Sequence, residues 1–67
     1  MDIKEYVKIS TDVWQLFKHK HEGEISWDQW WDGVHKLNDD YENHPGYKFM
    51  QALLKVYFDQ IKEVQHE

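Results

Sequence analysis

Asp28, Asp32, His35, Asp39 and Glu42 follow one another at spacings of four, three, four and three, the interval that sets side chains on one flank of a helix. Carboxylate oxygens and a neutral imidazole nitrogen converging at such spacings could ligate a divalent cation. A solvated acidic face is the preferred reading, because isolated matches of this kind arise freely in an acidic chain. Asp32-x-x-His35 and Glu63-x-x-His66 echo the Glu-x-x-His pairs of di-iron bundles. With 13 acidic residues and five histidines in the chain, accident accounts for both. No metal and no other cofactor is expected.

Other chemistry is sparse. There is no cysteine, the hydroxyl residues other than Tyr are Ser10, Thr11 and Ser26, and no glycine-rich phosphate loop occurs, so no activated nucleophile can be assembled from neighbouring positions. His19 and His21 alternate with Lys18 and Lys20, whose ammonium groups discourage a cation; a role over the negative end of a helix suits them better. A pH-dependent contact through these histidines is the lesser alternative. A chain of 67 residues with no inward acid–base pair offers little room for a substrate pocket. Catalysis is not expected.

Charge is distributed unevenly. Residues 22 to 46 carry Glu22, Glu24, Asp28, Asp32, Asp39, Asp40 and Glu42 against Lys36 alone, a net of -6, whereas the flanking segments are close to neutral and the whole chain carries -5. The basic side chains are all Lys, which removes the forked donor that best recognises phosphate and guanine. Direct nucleic-acid binding is disfavoured. No apolar run approaches the ~20 residues of a membrane span, and the acidic start at Asp2 does not resemble a secretory leader. The expected location is the cytoplasm.

Such a small chain buries only about 60% of its unfolded surface, and without disulfides it needs dense packing to compensate. Eleven aromatic residues, four of them Trp, supply it, each burying roughly 150 to 250 Å². Gly23 and Pro45-Gly46 cut the chain into three segments. In the third, Tyr47, Met50, Leu54, Tyr57, Ile61 and Val64 recur at spacings of three and four, and in the second Trp27, Trp30, Val34, Leu37 and Tyr41 do the same, each forming one helical stripe. Ser26 with Gln29 reads as a capping box, with Ile25 and Trp30 as the accompanying hydrophobic staple. In the first segment Tyr6, Ile9, Val13, Leu16 and Phe17 fit a helical face, although Ser10-Thr11-Asp12 resembles a helix start. Either one helix runs from about residue 3 to 21 or an extended arm precedes a shorter one; the single helix is preferred. Gly23 can close it in the left-handed conformation. The expected fold is all-α, a single domain over residues 1–67, with helices at about 3–21, 27–42 and 47–65 packed as a compact antiparallel up-down-up three-helix bundle.

Several residues exceed what this bundle requires. Phe49, Leu53 and Val56 form a second apolar stripe beside the first on the third helix, and Phe58 lies off both. Coverage of that stripe by the other two helices is preferred over an open patch. Trp31 flanks the main stripe of the second helix and is likewise expected in the core. Gly33 costs that helix about 1 kcal/mol relative to Ala, which suggests close approach of a ring or another helix, a tolerated defect being the alternative. Lys48, Lys55 and Lys62 recur every seven residues and could pair with the acidic flank or simply be solvated; exposed pairs contribute about 0 to 1 kcal/mol.

Trp14, Trp27-Asp28-Gln29-Trp30-Trp31 and Leu53-Leu54-Lys55-Val56 together resemble the small uncharacterised helical proteins carried by phages and mobile elements of AT-rich bacteria. The resemblance covers the last two helices and implies no known activity. What it implies is a short accessory protein that binds a partner, with no functional residue to carry over. Two expectations follow from the residues. In the first, a non-enzymatic adaptor or regulator binds another protein, or a second copy of itself, through Trp31, Phe49, Val56 and Phe58. In the second, Asp28, Asp32, Asp39, Asp40 and Glu42 imitate phosphates and occupy a partner's basic groove.

Overall fold

The computed structural model describes residues 2–65 of the chain. They form three helices, α1 (Ile3–His21), α2 (Trp27–Tyr41) and α3 (Tyr47–Gln65), with no strand among the described residues. Each helix pair is in contact, α3 packing more extensively on α1 than on α2. The fold is an all-α three-helix bundle.

Local chemistry explains the helix ends. Asp2 N–H donates to Glu5 Oε2 at 3.0 Å, which fastens the first turn of α1. Ser10-Thr11-Asp12 does not begin a helix: the Thr11 hydroxyl donates to the Val7 carbonyl one turn back at 2.8 Å, so α1 runs through the polar triplet without leaving that hydroxyl unpaired. Gly23 adopts φ +75, and its N–H reaches Lys20 O at 3.1 Å while Glu24 N–H reaches His19 O at 2.9 Å, closing α1. The His19 ring also meets the Glu24 carboxylate, and this hydrogen bond holds the Glu24 carboxyl below its ordinary range. At α2 the expected box is present: Ser26 N–H donates to Gln29 Oε1 at 2.9 Å and Gln29 N–H to Ser26 Oγ at 3.2 Å. Ile25 packs against the core beside it. In the turn before α3, His44 Nδ1 accepts from the buried Gly46 N–H at 2.9 Å.

Side-chain pairings fix the directions. Tyr6 meets Phe49 and Phe17 meets Tyr57, so numbers rise together along α1 and α3 and these two helices are parallel. Tyr41 at the end of α2 lies beside Lys8 and Asp12 near the start of α1, so α2 runs the other way. The core consists of Ile9, Val13, Trp30, Tyr41, Met50, Leu54 and Ile61, with Leu16, Phe17, Val34, Leu37 and Tyr57 packed around it. All five residues of the α2 stripe are therefore in or against the core. Tyr6 lies at the rim of the expected α1 stripe, 38% exposed, with its ring against Phe49. His66, and the side chain of Val64, lie outside the described residues.

Gly33 sits where α2 crosses α1. A Cβ there would come within 2.5 Å of Leu16 Cδ1 and 3.1 Å of its Cδ2, closer than carbon atoms pack. The close approach is thus made by an aliphatic side chain of α1.

Candidate interaction groove

Because α3 leans on α1, the flank shared by α2 and α3 stays open. A groove of about 220 Å³ runs along it, lined among others by Trp30, Trp31, Val34, Leu54, Lys55 and Phe58. The helical period explains the grouping: Trp30, Trp31 and Val34 occupy adjacent positions on the side of α2 that faces α3, and Leu54, Lys55 and Phe58 do the same on α3. Trp31 is 45% exposed, contrary to its expected place in the core: it tilts against Phe58 of α3 and borders the open groove. Phe58 is half-buried, 5.3 Å from Trp31 and 5.5 Å from Trp27 by ring centroids. Lys62 Nζ lies 5.3 Å from the Phe58 ring centroid, a cation–π contact.

Trp30 is fully buried and its indole N–H finds no acceptor among the described residues. Leaving such a donor unpaired costs about 1–3 kcal/mol. Lys20 is also buried; its ammonium lies 4.4 Å from the Trp27 ring, which gives the cation an electrostatic partner inside the bundle.

Trp31 and Phe58 are brought together; Phe49 and Val56 are not with them. Phe49 packs edge-on against Tyr6 at 5.0 Å on the α1 side of α3, and Leu53 is half-buried there. Val56 is 62% exposed. The second stripe of α3 is therefore only partly covered, since α1 shields Leu53 and part of Phe49 and stops short of Val56. The four candidate positions form two surfaces on opposite flanks of α3.

The acidic residues of α2 all reach solvent. Asp28, Asp32, Asp39, Asp40 and Glu42 are exposed, and none of the ion pairs found among the described residues involves them. Lys48, Lys55 and Lys62 do not pair with them, because α3 presents these lysines beside and beyond the groove while the carboxylates point away from both neighbouring helices. Nor does any group of three His, Asp or Glu among the described residues lie close enough to hold a metal ion.

One polar site was invisible in the sequence. Tyr41 OH donates to Asp12 Oδ2 at 2.7 Å and accepts from Lys8 Nζ at 3.1 Å, tying the end of α2 to α1. Burial, followed by the Asp12 carboxylate that accepts its proton, lifts the Tyr41 phenol above its ordinary value. The Tyr41 oxygen in turn raises the Lys8 ammonium. A proton held this firmly makes Tyr41 a fastening group, and sequence separations of 29 and 33 residues carry no periodic signal by which it could have been found.

No helix among the described residues is long and apolar enough to cross a membrane. No protein-family model, curated protein or solved structure significantly matches this chain.

Proposed function

We propose that the protein is a non-enzymatic interaction module, an adaptor or regulator that receives an apolar side chain of another protein in the α2–α3 groove. The observation that carries this reading is the pairing of a half-exposed Trp31 with Phe58 at the mouth of an apolar groove. Aromatic side chains displayed on a rigid wall lose little entropy on binding and dominate interface energetics. Lys55 and Gln51 at the rim add polar groups able to orient an incoming segment. The unpaired Trp30 N–H in the same wall is a further support, since local costs of this kind concentrate at functional sites. A cytoplasmic location goes with the acidic, cysteine-free composition, and an accessory role in a phage or mobile element goes with the Trp-rich and Lys-only sequence.

The acidic flank supports a second reading, that of a nucleic-acid mimic, because its carboxylates are exposed and free of ion pairs among the described residues. One experiment separates the two. Capture of host proteins by the immobilised chain is compared between the wild type, Trp31→Ala and Asp28→Asn/Asp32→Asn/Asp39→Asn. Loss of a specific partner with Trp31→Ala alone, by about tenfold or more in affinity for a truncated aromatic anchor, supports the groove. Loss with the amide variant alone, accompanied by strong salt sensitivity, replaces it with the acidic reading.

A further inference from the structure

Most of the exposed apolar surface lies away from the groove. Of six large hydrophobic side chains exposed among the described residues, Ile3, Tyr6, Val7 and Trp14 are on α1, Val56 is on α3, and Trp31 alone borders the groove. Ile3, Val7, Ser10 and Trp14 recur at spacings of four, three and four, as do Phe49, Leu53, Val56 and Gln60, so each set is one helical stripe. The two stripes lie side by side. Tyr6 and Phe49 join them at one level, and a shallow cleft lined by Ser10, Trp14 and Tyr57 joins them at another. Together they form the outer surface of the parallel α1–α3 pair, on the side away from α2, and neither stripe contains a charged residue.

We infer that this surface binds a second copy of the same chain across a two-fold axis. Charge selects the occupant. The chain carries -5, and its excess acidity resides in residues 22 to 46, including α2; approach through α2 sets carboxylates against carboxylates. Meeting through the α1–α3 surface, where no carboxylate belongs to either stripe and Lys18 Nζ lies 5.6 Å from the Trp14 ring, sends both α2 helices to the outside of the pair, where their repulsion is weakest. An axis along the helices lays α1 of one copy against α3 of the other. It thereby brings Lys18, at the rim of α1, toward Glu63 of the second copy, at the same end of the bundle.

Size agrees. The molecule measures 38 × 19 × 16 Å, so its long face approaches the roughly 800 Å² per partner of a standard interface. Isologous contact of this kind is the commonest form of self-association. It also offsets the small core, in which seven apolar side chains are buried among the described residues, since oligomerisation is a usual support for chains this short.

Sedimentation equilibrium of the full chain tests the inference. The wild type is expected at twice 8.3 kDa, and Val7→Asp or Val56→Asp at the monomer mass with the dissociation constant raised about a hundredfold or more. Val7 and Val56 are 58% and 62% exposed, so both variants keep the helical circular dichroism of the wild type. Trp31→Ala, on the other flank, keeps the dimer. A monomeric wild type at high micromolar concentration overturns the inference, as does a dimer that survives both aspartates or one that Trp31→Ala dissociates.

Discussion

Tyr41 shows how one side chain joins two helices and fixes a pH response. Its ring is buried and its hydroxyl is shared between Asp12 and Lys8. Burial raises the phenol above its ordinary value, so the unfolded chain gives up this proton first as the pH climbs. The stability tied to Tyr41 is therefore complete below about pH 10, the ordinary phenol value, and is lost as the pH rises through the higher folded value. Urea titrations from pH 8 to 11 should show this alkaline loss. Tyr41→Phe should flatten it, at a cost of about 0.5–1.5 kcal/mol near neutrality for the lost hydrogen bonds; an unchanged alkaline slope would show that another group governs it.

At the level of helices, the crossing of α1 and α2 depends on a missing side chain. Alanine at position 33 would favour α2 by about 1 kcal/mol in an isolated helix. In the bundle the added carbon meets Leu16 Cδ1, Cδ2 and Cγ at 2.5, 3.1 and 3.4 Å, so the end of the Leu16 side chain must shift. Overpacking of this kind costs about 1–3 kcal/mol. Gly33→Ala is accordingly expected to lower stability by about 1 kcal/mol net. In a Leu16→Ala background the same substitution should be neutral or stabilising. Chemical denaturation of the four proteins closes this cycle, and a Gly33 effect independent of Leu16 would mean that the crossing tolerates a side chain without the proposed clash.

The molecule as a whole is two-sided, with carboxylates on the outward flank of α2 and an apolar surface, bordered by Lys18 over Trp14, on the far side of α1 and α3. Self-repulsion on the acidic flank destabilises the folded chain. Asp39 and Asp40 add to this, because they sit in the last turn of a helix that has no basic residue there, against the negative end of its dipole. Asp39→Asn/Asp40→Asn should raise the melting temperature at low salt, by the equivalent of about 0.3–1 kcal/mol per charge. At 1 M salt, where the screening length falls to about 3 Å, the gain should disappear. Thermal melts of both proteins at the two ionic strengths check this, and a gain that persists in high salt would assign it to helix propensity instead.

The three helices, their limits within one residue, the Ser26–Gln29 cap and the left-handed Gly23 were all legible in the amino-acid order. Each depends on interactions within a few residues of the chain, and the three-to-four periodicity of apolar residues identifies the stripe that every helix turns inward. How far a neighbouring helix wraps around that stripe is settled by packing between distant segments. Trp31 was expected inside and stands half open; Phe49 and Val56 parted from Trp31 and Phe58 because α1 and α2 grip opposite flanks of α3. The same dependence on distant partners hid the Tyr41 tie and the identity of Leu16 as the neighbour of Gly33. Helical phase says which residues share a face, but only the angle and depth at which three rods meet decide which faces remain in water.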